Sequence, residues 1–336
     1  MRSSKWLKAA LFLALCICIT LFLNYAFIPP SSVRVNLHNL RNGEDYDTIF
    51  IGTSHGQYGI DPASVDQARG GSSVSLCMAD AYPGDMYYLL KLACETQSPS
   101  QVVYELDPSY WMNEQRSGST QIFFYQDFPL SVSKAAYFMD KILNLDFRSE
   151  LAPWSYYRNL YARIPQHIRK KQSQAYRNYD PSILDIPAGH YGGRGFIYRD
   201  RVEGENKGAY NNIPWDETLV KANALEYFDR IAAFCQEKGI RLTVITTPVP
   251  QDTLDQFADS YRQSHQYFKK LMESYGLEYY NFNYMTPGLM DRSMEGYWDY
   301  DGHMDGEKAR EFSTVLGQFL GDLVEGEAPV QGYFTS

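Results

Sequence analysis

Two short segments, far apart in the chain, carry residue types that could make and break an ester bond. Thr48-Ile49-Phe50-Ile51-Gly52-Thr53-Ser54-His55-Gly56 is a β-branched and aromatic run that stops at Gly52 and delivers a serine onto a glycine-bracketed turn. A serine hydroxyl is unreactive at neutral pH unless an oriented base takes its proton, so Ser54 as a nucleophile needs a histidine with its own carboxylate. Trp298-Asp299-Tyr300-Asp301-Gly302-His303-Met304-Asp305 offers one. Each piece also has a plainer reading. Gly-Thr-Ser-His alone is a strand-ending turn, since these residues favour turns anyway. Asp299, Asp301 and Asp305 with His303 could be a solvated helix entry, or a metal site of carboxylates and imidazole. His55 competes as base, but neighbours on an extended turn point apart, so it is expected, with Gly52, to line the site.

The elements around these segments set where they can meet. Thr48–Gly52, Gln101–Leu106, Ile240–Thr246 and Leu277–Phe282 are apolar runs of strand length, with a further short strand at Val74–Met78. Such runs suit parallel strands buried on both faces. Between them, apolar residues at helical spacing predict helices over Gly84–Glu95, Thr218–Lys238, Thr253–Tyr275 and Glu307–Val324, the last capped by Asp305. Alternation of this kind implies a doubly wound α/β sheet in three layers. Ligands in such sheets bind at the carboxyl ends of strands, where Ser54 and the loop holding His303 would both lie.

The composition is globular, with 44% apolar and 21% charged residues, and the net charge of −9 argues against nucleic acid as the main partner. Arg2, Lys5 and Lys8 precede an apolar run over residues 9–28, about the length that spans a bilayer as a helix. The charges predict a cytoplasmic tail (1–8), with the body beyond the anchor outside the membrane. A cleaved signal peptide is the competing reading, but no small-x-small site follows the run. Residues 29–46 read as linker, 47–325 as the extracytoplasmic domain and 326–336 as a tail. Cys16 and Cys18 lie in the anchor; Cys77, Cys94 and Cys235 have no metal spacing and read as buried free thiols. No cofactor is indicated.

Residues from about 110 to 215 break the strand–helix rhythm and form an insertion rich in tyrosine, among them Tyr125, Tyr137, Tyr157, Tyr161 and Tyr210. Within it, Arg158, Arg163, Arg169, Lys170, Lys171 and Arg177 occur without one acidic residue between them. That run could touch anionic lipid or an anionic wall polymer, or form a solvated helical face. His190, in Gly189-His190-Tyr191-Gly192-Gly193, reads as a loop residue.

Gly52-Thr53-Ser54-His55 near the start of the domain and Asp301-Gly302-His303 before its last helix resemble the SGNH (GDSL-like) hydrolase superfamily. The nearer likeness is to its membrane-anchored extracellular members, the DltD-like proteins of teichoic acid D-alanylation and the proteins of polysaccharide O-acetylation. The resemblance covers residues 47–107 and 240–322. It implies an SGNH/flavodoxin-like fold in which Ser54 is the nucleophile, His303 the base and Asp301 its orienting carboxylate. The common Asp-x-x-His spacing falls on Tyr300, so either Asp301 or Asp299 must serve. Oxyanion donors are expected from the Ser54 N–H and groups around Met78–Tyr82. The resemblance implies a serine acyltransferase or esterase acting on a cell-envelope glycopolymer beside an MBOAT-type membrane acyltransferase. The alternative is a non-catalytic SGNH-like protein that binds polysaccharide or acts as a scaffold.

Overall fold

The structure is a computed structural model that describes residues 2–116, 118–145, 147–201, 214–325 and 330–334. Tyr210, with the rest of 202–213, and most of the expected tail lie outside the described residues. The chain forms two compact units: Met1–Val35 with Arg116–Asp185, and Asn36–Gln115 with Ile186–Ser336.

The second unit is built on five parallel strands in the order β2-β1-β3-β6-β7. They are β1 (Thr48–Ile51), β2 (Ser73–Ser75), β3 (Gln101–Glu105), β6 (Arg241–Thr246) and β7 (Tyr279–Asn281). All but Arg241 and Tyr279 are buried, which is why these strands read as continuous apolar runs rather than alternating ones. Strand faces alternate residue by residue, and that separates the two helical layers. Phe50, Val103, Ile245 and Tyr280 share a core with Val65 of the helix Pro62–Arg69 and with Phe312, Leu316 and Phe319 of the helix Gly306–Glu325. Tyr104, one residue on from Val103, meets Phe228 of the helix Ala222–Lys238 edge-on at 5.3 Å on the opposite face. The strand order reverses between β1 and β3, so the crevice of a doubly wound sheet opens at their carboxyl ends.

Several local readings differ from the structure. Residues expected as linker form a helix, Ser32–Asn42, begun by the Arg34 N–H donating to Ser31 Oγ at 3.3 Å. Its Val33, Leu37 and Leu40 are buried, a helical spacing that a short polar segment disguised. The helix expected over Thr253–Tyr275 is broken at Phe257 into Gln251–Gln256 and Ala258–Ser274, with neither proline nor glycine to announce it. His190 lies on a strand, β4 (Gly189–Gly193), paired antiparallel with β5 (Phe196–Arg199) and stacked on Tyr198 at 4.7 Å. Arg194 and Gly195 turn this hairpin with positive φ of 47° and 89°, the geometry that matches strand twist.

At Gly52 the chain passes so close to β3 that an added Cβ would lie 2.5 Å from Glu105 Cβ and 3.0 Å from its carbonyl oxygen. Gly52→Ala is therefore expected to destabilise the fold by about 1–3 kcal/mol, through overpacking against backbone that cannot yield. Thermal unfolding in detergent checks this, and an unchanged midpoint would contradict the close approach.

Candidate active site

β1 ends at Ile51, and Thr53 then caps the short helix Ser54–Gly59 by accepting the His55 N–H at 3.3 Å. Thr53 is itself fixed to the end of β3, because its N–H and its hydroxyl both donate to Glu105 Oε2 at 2.8 Å. Ser54 thus leaves the sheet as the first residue of a helix, on a turn held from two strands.

His303 comes from the loop before the last helix. Asp299 folds that loop: its Oδ1 accepts the N–H groups of Asp301, Gly302 and His303, each at 3.1 Å. Gly302 makes the wrap possible with φ of 106°, a region that favours glycine. The loop is closed by Trp298 N–H donating to His303 O at 2.7 Å, and Asp305 caps the helix by accepting the Lys308 N–H at 2.8 Å. The result brings His303 Nε2 to 2.8 Å from Ser54 Oγ and His303 Nδ1 to 2.7 Å from Asp299 Oδ2. With Nδ1 donating to a carboxylate, Nε2 is left as the acceptor for the serine proton, which is the tautomer a general base requires.

The carboxylate at Nδ1 is Asp299 and not Asp301, the first choice from the family spacing. Asp301 contributes backbone here: its N–H goes to Asp299 Oδ1 and its carbonyl lies 3.0 Å from His55 Nε2. The reason is the wrap itself, since a carboxylate that gathers three successive amides with one oxygen keeps the other oxygen free for the side chain four residues on.

His55 does more than line the site. Because Ser54 and His55 begin a helix rather than an extended turn, their side chains converge, and the His55 ring stacks on His303 with centroids 4.5 Å apart and planes 19° apart. His55 Nδ1 lies 3.1 Å from Asp107 Oδ2, just beyond β3. Both ring nitrogens of His55 face acceptors, so both donate and the ring is cationic. Burial opposes that charge, but the hydrogen bond and charge of Asp107, helped by Glu105 and Asp299, push its pKa up to about 9. Asp107 is correspondingly held below the usual carboxylate range, its burial outweighed by the bond to His55. For His303, burial and then the adjacent His55 charge lower the pKa, against the opposing pull of Asp299. Burial works against ionised Asp299 too, and the His303 hydrogen bond overcomes it.

Two pH effects follow. A histidine free in solution titrates near pH 6.5, so a lowered His303 stays neutral, and able to accept a proton, further into acid. His55→Gln removes the largest lowering cause after burial, and the acid limb of kcat/KM is expected to move to higher pH; an unmoved limb would contradict the stacking account. His55 also links folding to pH. Its folded pKa stands above the unfolded value of about 6.5, so its contribution to stability is complete below that pH and is lost as pH rises through about 9.

Ser54 and His303 open onto a cavity of about 330 Å³ whose walls include Leu106, Tyr110, Met112, Trp215, Thr247 and Tyr261. Tyr110 lines the same cavity as Ser54, and its hydroxyl lies 3.5 Å from Asp80 Oδ1; burial raises its pKa. Arg199, at the end of β5, lies 3.8 Å over the ring of Tyr58 and 4.3 Å over that of Trp298, and adds positive charge near His303. In the expected oxyanion region, Met78 N–H is bonded to Gly52 O, Ala79 N–H to Gln57 Oε1 and Tyr82 N–H to Asp85 Oδ2. The N–H groups of Ser54 and Asp80, both at the cavity wall, are not spent in this way among the described residues. No cluster of histidine, cysteine and carboxylate suited to a metal occurs among the described residues. Asp107, Tyr110 and Arg199 escaped the sequence reading; the one signal available was that Asp107 directly follows an apolar strand run next to that of Ser54.

No protein-family model and no curated protein matches the chain in sequence.

Proposed function

We propose that this chain is a single-pass membrane protein with a cytoplasmic amino terminus, whose SGNH-like domain transfers or removes an acyl group on a cell-envelope polysaccharide or teichoic acid. The observation that carries this reading is the continuous relay from Ser54 Oγ through His303 to Asp299, at 2.8 and 2.7 Å, at the mouth of a cavity.

In the first half-reaction Ser54 Oγ attacks the ester carbonyl as His303 Nε2 takes its proton, and the oxyanion is received by the Ser54 and Asp80 N–H groups. The bond to the leaving oxygen breaks and His303 returns the proton to it, leaving acyl-Ser54. In the second half a sugar or polyol hydroxyl, or water, attacks that ester; His303 takes the new proton and gives it to the departing Ser54 oxygen. The cationic His55 keeps His303 unprotonated between the two halves, and Asp299 stabilises the imidazolium when it forms.

The helix Arg2–Phe27 supports the membrane assignment, because its Lys5–Phe27 stretch is long and apolar enough to cross a bilayer. The basic residues Arg2, Lys5 and Lys8 support the orientation. For a transferase, the partner that the family likeness implies is an MBOAT-type acyltransferase supplying acyl groups across the membrane. Cells lacking the chain are expected to lose labelled acetyl or alanyl ester from isolated envelopes if the chain transfers the group and to accumulate it if the chain removes it, with the intact chain restoring the original content in either case. Unchanged ester content would remove the envelope as substrate.

A further inference from the structure

On one flank of the first unit the ordinary rule of burial is turned inside out. Its helix Val132–Asn144 buries Ser133, Tyr137 and Lys141, and it exposes Val132, Ala135, Met139 and Leu143 along one stripe at helical spacing. A helix of a water-soluble domain turns its apolar stripe inward and its charges outward. The pattern extends beyond this helix. Glu150, Gln121, His167 and Lys171 are buried, while Leu130, Phe147, Leu151, Tyr156 and Tyr161 are exposed. Among the described residues, every exposed large apolar side chain except Leu219 belongs to this unit, either on the N-terminal helix or within residues 130–161.

The depth of the unit is fixed by what it holds. Trp154 N–H donates to Asn24 Oδ1 at 3.0 Å, Lys171 Nζ donates to Tyr25 O at 2.8 Å, and Phe27 packs on Trp154 at 5.6 Å. Ile28 shares a small core with Ile122 and Tyr157. All these contacts are made to the last turn of the apolar helix and the residue after it, which is the level at which a spanning helix leaves the hydrocarbon. Exposed tyrosines and the exposed Arg158 and Arg163 lie in the next stretch of the same unit. These side chain types settle at headgroup level, the rings in the interface and the guanidinium groups on phosphate.

We infer that residues 130–145 and 147–151 of this unit, led by the Val132/Met139/Leu143 face, lie in the outer bilayer interface as a monotopic collar beside the emerging N-terminal helix. The inference rests on the membrane-anchored reading above, but not on any acyl chemistry. Its occupant is lipid. The same unit is continuous with the spanning helix, and its basic run matches anionic headgroups. Lys171, one of that run, takes no part in lipid binding, because it is buried on the carbonyl of Tyr25, its pKa lowered to about 8 by that burial.

The test uses the full chain in nanodiscs of phosphatidylethanolamine and phosphatidylglycerol, with Cys16→Ser, Cys18→Ser and Cys94→Ser removing the accessible thiols. An NBD fluorophore is placed on Leu143→Cys, on Met139→Cys as a second collar position, on Leu13→Cys in the anchor, and on Leu219→Cys in the other unit. The collar labels are expected to be quenched by lipids carrying a shallow doxyl group and to be several-fold less sensitive to aqueous iodide than the label at 219. The label at 13 is expected to answer to a deep doxyl group. Iodide quenching at 139 and 143 equal to that at 219, with 13 still quenched by lipid, overturns the collar and leaves the anchor. Shielding at 139 and 143 from both quenchers overturns it in favour of a second copy of the chain. A label at 13 that fails to meet lipid overturns the anchored reading itself.

Discussion

Ser54→Ala is expected to abolish ester transfer, lowering kcat by at least about a thousandfold, while leaving the fold intact. The substitution removes one oxygen at the cavity wall, and that oxygen's bond runs to His303 rather than into the core. What it deletes is the one hydroxyl bonded to His303 among the described residues, so no alternative path through His303 and water is expected to approach the native rate. Envelopes from cells carrying the variant would contain no more labelled ester than envelopes lacking the chain. Thermal unfolding of the purified variant would match the wild type. Activity within tenfold of wild type would place the nucleophile elsewhere.

The second large effect separates two aspartates that lie one residue apart. Asp299→Asn is expected to lower kcat by about ten-thousandfold, the scale seen when an orienting carboxylate is replaced by its amide. The asparagine can still accept the loop amides through its carbonyl oxygen, so the loop survives. Its NH₂ group, however, would face His303 Nδ1 and favour the tautomer with the proton on Nε2, where it blocks acceptance from Ser54. Asp301→Asn keeps the backbone carbonyl that His55 meets and is expected to lose far less. Measuring both variants on one acyl substrate decides the assignment, and equal losses would contradict it.

The pairing of Ser54 with His303 was legible across 249 positions, because open α/β sheets gather such residues at strand ends and the strands are plain apolar runs. The identity of the acid was not. Asp299 and Asp301 differ only in how the loop backbone wraps, which depends on three amides finding one oxygen and on the positive φ at Gly302. The dyad of His55 and Asp107 was hidden for a related reason. Taking Ser54 and His55 as extended chain put their side chains apart, whereas the helix capped by Thr53 brings His55 back over His303. The apolar spacing on Val132–Asn144 illustrates a further limit. Periodicity reports that a helix has an apolar face but not what the face meets, and here that face points outward.

The central claim is that the Ser54 hydroxyl is activated by His303. Exposing the intact protein to a fluorophosphonate and locating the adduct by peptide mass spectrometry tests it most directly, since such probes phosphonylate only serines whose proton is drawn off by a neighbouring base. The account predicts stoichiometric modification of Ser54 that disappears in His303→Ala. An unmodified Ser54, or modification that persists without His303, would contradict it.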